Sequence, residues 1–183
     1  DEVKKFGYSY QWENVDDAYV QGVELGAKAN LFRNFNAGVN WTFNQGKFKH
    51  ERADWSDPND ETVKEFPQRL QYAKDSRNIS RFPAMTGDID LDYTPGTWTF
   101  SLTSSLQGRM FIDYNSEDDG VTSKIKKTNT FMIFNCRAAK RFGTCTVYAG
   151  AKNIFSYIQD EKHTDDAAFM YAPVYGATWY VGL

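Results

Sequence analysis

The sequence predicts an all-β protein, a transmembrane antiparallel β-barrel, on three observations. The first is two-residue alternation sustained from 97 to 114. Trp98, Phe100, Leu102, Leu106, Met110, Ile112 and Tyr114 share one parity, and Thr97, Thr99, Ser101, Thr103, Ser105, Gln107, Arg109 and Asp113 share the other. Period two means a strand with one apolar and one wet face. Strands of soluble domains average about 5–6 residues, whereas a membrane strand needs about 9–11 tilted residues to cross the hydrocarbon. The second is the stretch in which Asp88, Asp90 and Asp92 alternate with Ile89, Leu91 and Tyr93. A face with three carboxylates must meet water or basic groups and cannot pack on a dry core. The third is the alternation of connections, short after Leu31, Tyr93 and Phe142 and long after Phe48, Tyr114 and Phe155. Short turns on one rim and long loops on the other is barrel construction.

The bulk numbers are compatible with this. The chain has 183 residues, 16% aromatic and 25% charged, with a formal net charge of -3. That balance gives no electrostatic case for nucleic acid or an anionic membrane surface. Mean hydropathy is -0.63, which a barrel tolerates because only alternate strand residues meet lipid. No apolar run reaches the roughly 18 residues of a transmembrane helix, so any spanning falls to strands. The opening residues, Asp1 to Lys5, carry no apolar signal-peptide region, so the expectation is a trimmed chain or a piece of a longer one.

Eight strands are expected, in order. The first, 3–12, alternates Phe6, Tyr8, Tyr10 and Trp12 with small polar residues, and 13–17 is a tight polar link. The second, 18–31, sets Tyr19, Val23, Leu25, Ala27, Ala29 and Leu31 against Gly22, Glu24, Gly26, Lys28 and Asn30. After turn chemistry at 33–36, the third runs 37–48 with Val39, Trp41 and Phe43 in phase. Residues 49–78 break the rhythm with Pro58, Pro67 and mixed charge, and a short helix is expected after Asp60. A connection this long is functional or disordered in a compact domain. Its Asp54, Asp57, Asp60 and Glu61 lack the spacing and glycine of an EF-hand loop, so a solvated acidic loop is the expectation. Strands then follow at 79–93, 97–114, 128–142, 144–155 and 177–183, separated by the short turn at 94–97, a polar loop at 115–127 and a third loop at 156–176.

Cys136 and Cys145 flank a turn near 140–143. A hairpin centred between Lys140 and Arg141 sets them opposite each other as a cross-strand disulfide, and a shift of two residues leaves two free thiols; both stay open. With two separated cysteines and two histidines the chain offers no metal-ligand spacing. No nucleophile–base pair or phosphate loop stands out, so an enzyme is disfavoured.

At this point the residues resemble a family. Gln11-Trp12-Glu13-Asn14-Val15, then Ala18, then Gly22-Val23-Glu24-Leu25 resembles the W-x-N-V…A…G-x-E pattern of TonB-dependent outer-membrane receptors of the ferric-siderophore kind. Gly150-Ala151-Lys152-Asn153-Ile154-Phe155 resembles their G-x-x-N-L-F strand end, and Pro173 to Tyr180 their P-G-R-T-W-Y opening of the final strand, with Ala177 where the family has arginine. Each match alone is weak, but the three occur in family order and spacing. The resemblance implies about eight strands of a 22-stranded barrel, residues 1–183 being its C-terminal portion without the plug domain and without the terminal aromatic.

It further implies an outer-membrane active transporter of a Gram-negative bacterium. Such a receptor binds a scarce nutrient (a ferric siderophore, haem or a cobamide) and imports it with energy delivered through TonB, with no cofactor of its own. The implied partners are outer-membrane lipid, the protein's own plug and remaining barrel, the TonB complex through that plug, and a small-molecule metal chelate or cofactor; a capping surface lipoprotein stays open, and no nucleic acid is implied. The ligand would meet the long loops, with His163, Asp165, Asp166, Phe169, Tyr171 and Tyr175 the residues that combine charge with aromatic surface. The plug would meet the inward charges Glu24, Lys28, Asp88, Asp90, Asp92, Arg109, Arg137, Arg141 and Lys152. The alternatives are a passive porin and a soluble secreted glycan-binding β-sandwich. The latter needs its aromatics in loops, whereas Trp41, Trp98 and Trp179 lie in phase within strands, as girdle residues do.

Overall fold

The computed structural model describes residues 16–115, 123–159 and 172–183. The predicted strand at 3–12 and the Gln11 to Val15 match lie outside these, as do His163, Asp165, Asp166, Phe169 and Tyr171. Seven strands form one antiparallel sheet in the order β1-β2-β3-β4-β7-β8-β9. They are β1 (Ala18–Phe32), β2 (Phe35–Phe48), β3 (Met85–Tyr93), β4 (Trp98–Gln107), β7 (Phe131–Phe142), β8 (Cys145–Lys152) and β9 (Thr178–Gly182). A separate hairpin pairs β5 (Phe111–Asn115) with β6 (Ser123–Lys127).

The short turns carry the backbone chemistry that tight hairpins need. β1 and β2 close through Arg33-Asn34, where Asn34 takes φ 66°, and β7 and β8 through Gly143-Thr144, where Gly143 takes φ 60°. Asparagine and glycine are the residues that enter this left-handed region most easily. The Asn34 carbonyl accepts from the Thr94 N–H at 2.8 Å, which ties two neighbouring turns together.

Register sorts the side chains onto two faces. One row across the sheet reads Leu25, Trp41, Gly87, Leu106, Met132, and another Ala29, Ala37, Leu91, Leu102, Cys136, Ala151, Trp179. Many large members of this apolar face are left exposed, among them Val23, Leu25, Phe43, Trp179 and Val181. Apolar area of this extent in ordered strands calls for a partner other than water. At the short-turn rim the face ends in a belt of rings. Phe32 stacks on Phe35 at 4.7 Å, Tyr93 lies 6.3 Å from Phe35 and 6.4 Å from Phe100, and Trp98 stacks on Phe100 at 5.6 Å. At the other end the face turns polar above Val23 and Phe43, where Gln21 and Gln45 share a hydrogen bond. The apolar stretch of β2 between Phe35 and Phe43 is about 27 Å along the strand. At a tilt of about 40° that is about 20 Å of height, which with its flanking rings suits the roughly 25 Å band of an outer-membrane barrel.

The run 97–114 does not form one strand. It divides at Gly108, whose N–H donates to the Met85 carbonyl at 2.7 Å and whose Cβ, were there one, would lie 2.9 Å from that same oxygen. Only glycine lets the chain pass so close. Beyond it Met110 is buried against Phe131, and its N–H donates to Thr128 Oγ1 at 3.0 Å while its carbonyl accepts from the Thr128 N–H at 2.9 Å. Periodicity reports extended backbone; it does not report which sheet the strand joins. The strand expected at 79–93 begins only at Met85, because Ile79 and Phe82 leave the ladder to cover Gly46 on the polar face of β2. The strands expected at 128–142 and 144–155 narrow to β7 and β8.

The long connection after β2 holds α1 (Ala53–Ser56), α2 (Glu61–Glu65) and a 3-10 segment (Pro67–Arg77). The helix expected after Asp60 is α2, with the Asp60 carboxylate accepting from the Thr62 N–H at 2.8 Å. Trp55, Val63 and Ala73 are buried, and Arg69 lies 4.8 Å over the Trp55 ring while donating to Asp54. The acidic cluster is thereby dispersed: Asp54 pairs with Arg52 and Arg69, Asp57 accepts from the Asn59 N–H, and Asp60 caps α2. Both cysteines are free thiols. Cys145 faces Phe142 while Cys136 faces Ala151, which separates them by about 20 Å along the strand.

Candidate functional site: the polar face and its mouth

The second face of the sheet is polar, and register sets its charges in columns. Asn30, Asn36, Asp92, Ser101, Arg137, Gly150 and Tyr180 form one row; Lys28, Gly38, Asp90, Thr103 and Asn135 the next; Gly26, Asn40, Asp88, Ser105 and Ile133 the third. Of the nine residues expected to point inward, Glu24, Lys28, Asp88, Asp90, Asp92, Arg137, Arg141 and Lys152 lie in strands on this face. Arg109 does not; it is exposed in the bend after β4. The three aspartates share β3 and the bases Arg137, Arg141 and Lys152 lie on β7 and β8, with the hydroxyls of β4 between.

Those hydroxyls satisfy two of the carboxylates. Ser101 Oγ donates to Asp92 at 2.6 Å and Ser105 Oγ to Asp88 at 2.8 Å. Asp90 instead faces Gly38, where a side chain would meet Lys28 Cγ at 3.5 Å and Asp90 Cβ at 3.8 Å. Gly38 lies on the floor of an open concavity of about 420 Å³ lined by Lys28, Asn36, Asp90 and Asp92. Arg137 lies 4.6 Å over the Tyr148 ring, a cation–π contact that holds the guanidinium flat on the wall.

The long connections fold onto this face at the mouth. Tyr157 stacks on Phe131 at 4.9 Å, and Phe131 faces Gln107 on the polar side of the sheet. Asn153, buried and at φ 52°, holds this arrangement. Its Nδ2 donates to the carbonyls of Tyr157 at 2.6 Å and Tyr175 at 3.1 Å, its Oδ1 accepts from the Tyr157 N–H at 2.9 Å, and its own N–H donates to Asn135 Oδ1 at 3.0 Å. Ser156 Oγ accepts from the Ala177 N–H at 3.1 Å, so both stems of the β8–β9 connection are joined. The ring of Tyr175 is exposed at the surface. Asn153 carried no assigned role in the sequence, although it is the asparagine of the Gly150 to Phe155 match.

On the outer end of β1 and β2, Asp16 accepts from the His50 N–H at 2.7 Å and lies 3.0 Å from His50 Nδ1, while Lys49 pairs with Asp17 at 2.7 Å. The backbone hydrogen bond from His50 is the main reason the Asp16 carboxyl is held below the ordinary aspartate range, aided by the His50 ring. Among the described residues no group of three or more histidine, cysteine or acidic side chains is placed to hold a metal ion. What the arrangement offers is a charged, hydroxyl-rich wall with aromatic edges at its mouth, suited to lining and binding.

Comparison with known proteins agrees with this geometry. The model of the TonB dependent receptor-like β-barrel matches residues 2–154. The fold resembles that of the copper transporter OprC, with TM-score 0.59 and 20% identity over 91% of this chain and 22% of that one. It also resembles the ferric citrate transporter FecA in its unliganded form, with TM-score 0.60 and 18% identity over 88% of this chain and 23% of that one. The chain thus spans under a quarter of the length of either structure. A wet face, an apolar face edged with rings, and a family match across most of the sequence lead to one conclusion: the chain belongs to the TonB-dependent receptors and forms part of their β-barrel.

Proposed function

We propose that the protein is an outer-membrane transporter that binds a scarce metal chelate or cofactor outside the cell and imports it with energy delivered through TonB. The supporting observation is the polar face. Its carboxylates, bases and hydroxyls cannot pack against a dry core, and the family's barrels surround a plug. In this reading Glu24, Lys28, Asp88, Asp90, Asp92, Arg137, Arg141 and Lys152 face the plug. The ligand is met by His163, Asp165, Asp166, Phe169, Tyr171 and Tyr175 on the third loop. Asn153 acts through the loop stems, as a positioning residue.

The test is accumulation of radiolabelled ferric and cobamide chelates by cells carrying the full-length receptor, with and without TonB. Accumulation of one chelate against its gradient, abolished when TonB is deleted, supports the proposal. Uptake that only equilibrates and ignores TonB indicates a passive porin instead.

A further inference from the structure

We propose that the apolar face, at the short-turn rim, carries a site for one anionic phospholipid, with its phosphate on Lys140 and an acyl chain in the shallow trough below. The proposal goes beyond the transport reading and needs only the barrel.

Register puts Lys140 on the apolar face, between Trp98 of β4 and Val147 of β8. Its ammonium lies 4.7 Å over the Trp98 ring and 5.0 Å over the Phe142 ring, and these rings are its only partners among the described residues. A ring offers a cation its face but no lone pair, so the three N–H donors of the ammonium still need acceptors. At a membrane edge lysine meets this need by laying its stem on apolar surface and turning its head toward the headgroups.

The surrounding charge selects the headgroup. The three short turns with their flanking residues, 32–35, 93–98 and 139–146, carry Arg33, Lys140 and Arg141 and no acidic residue. The formal net charge of -3 hides this, because the carboxylates lie elsewhere. Basic side chains at a bilayer surface draw anionic lipid.

The strands below supply room for a chain. Phe100, Ala138, Ala149 and Val181 form one row of this face, and Leu102 pairs with Cys136 in the next. The small side chains of Ala138, Cys136 and Ala149 therefore floor a trough running down from Lys140, with Phe100 and Leu102 on one side and Val181 on the other. All three walls are exposed, so an acyl chain laid there covers apolar area.

Trp98 reports on the site. The full-length receptor is reconstituted in vesicles of equal parts phosphatidylcholine and phosphatidylglycerol, with bromine on the chains of one lipid or the other. Quenching assigned to Trp98, by difference from Trp98→Phe, is expected to be at least twofold stronger with brominated phosphatidylglycerol. Lys140→Gln is expected to abolish that preference and Lys140→Arg to keep it, with the heat-dependent gel shift of the barrel retained in both. Equal quenching by the two lipids in the native receptor, or an undiminished preference in Lys140→Gln, would overturn the site. So would an absence of quenching by either lipid, which means that protein covers this face. The TonB dependence of uptake is a separate readout, and its failure strikes the transport reading alone.

Discussion

Asn153 and Tyr157 bond in both directions, the asparagine amide giving to the Tyr157 carbonyl and its oxygen taking from the Tyr157 N–H. One side chain thus replaces the strand partners that the backbone loses on leaving β8. Asn153→Ala removes these bonds and leaves an alanine at φ 52°. The expected cost is about 1–3 kcal/mol, as for other buried groups stripped of partners. Asn153→Gly accepts the backbone angle and isolates the hydrogen-bond contribution. Limited proteolysis of the full-length receptor in detergent should cut between 156 and 176 faster in both variants; equal cutting in native and variant protein would refute the clasp.

Trp41 lies over Gly87 so closely that a Cβ on the glycine would sit 2.9 Å from the indole. Gly87→Ala is therefore expected to destabilise the barrel by about 1–3 kcal/mol through overpacking. Trp41→Ala is expected to bare the glycine backbone that the ring covers. Urea unfolding in lipid vesicles, read by gel shift, measures both. A Gly87→Ala receptor as stable as the native one would show that the indole moves aside freely.

Ser104 is 3% exposed on the apolar face, and its hydroxyl is without a partner. Burying an unpaired hydroxyl costs free energy that alanine does not. Ser104→Ala is expected to stabilise by about 1 kcal/mol in the same vesicle assay. A loss of stability would reveal a bond to lipid or to a neighbouring strand.

The Asp16–His50 contact joins the outer ends of β1 and β2. Because the folded carboxyl is held below its ordinary range, the contact favours the folded hairpin end at pH above the ordinary aspartate value. That contribution is lost as pH falls through the depressed value. NMR is expected to show the Asp16 carboxyl still ionised and bonded to the His50 N–H at the ordinary aspartate value of about 3.9, with the bond lost only at lower pH. Protonation of Asp16 at or above that value would refute the contact.

Cys145 is exposed at a short turn, and Cys136 is half-buried on the apolar face in the row of Leu102 and Trp179. Short turns of such barrels face the periplasm. A membrane-impermeant maleimide is expected to label Cys145 only after the outer membrane is permeabilised and to leave Cys136 unlabelled while the barrel is in lipid. Labelling of Cys145 in intact cells would invert the topology.

Much of this was legible in the sequence, for a physical reason. Alternation survives wherever one face is wet and the other greasy, so 18–31 and 37–48 came within a few residues of β1 and β2, and the column Asp88, Asp90, Asp92 pointed to a wet wall. Legibility failed where backbone chemistry overrides pattern. Gly108 turns the chain while Met110 and Ile112 keep their phase, and the thiol pairing hung on a turn that Gly143 places nearer the C-terminus. Asn153 was invisible as a clasp because its partners are peptide groups of Tyr157 and Tyr175, and any residue supplies those. Arg109 was assigned to a strand that ends before it.

The hydroxyls that flank the β3 aspartates bear on motion. A surface made of carboxylates, serines, threonines and asparagines exchanges one hydrogen-bonding neighbour for water at small net cost. On the proposed reading, a plug segment resting on Asp88, Asp90 and Asp92 would be withdrawn without exposing apolar area, and its resistance would come from breaking hydrogen bonds that water then replaces, not from opening a core. Such a contact would be a lubricated one, slipping under a modest pull while the apolar face stays seated.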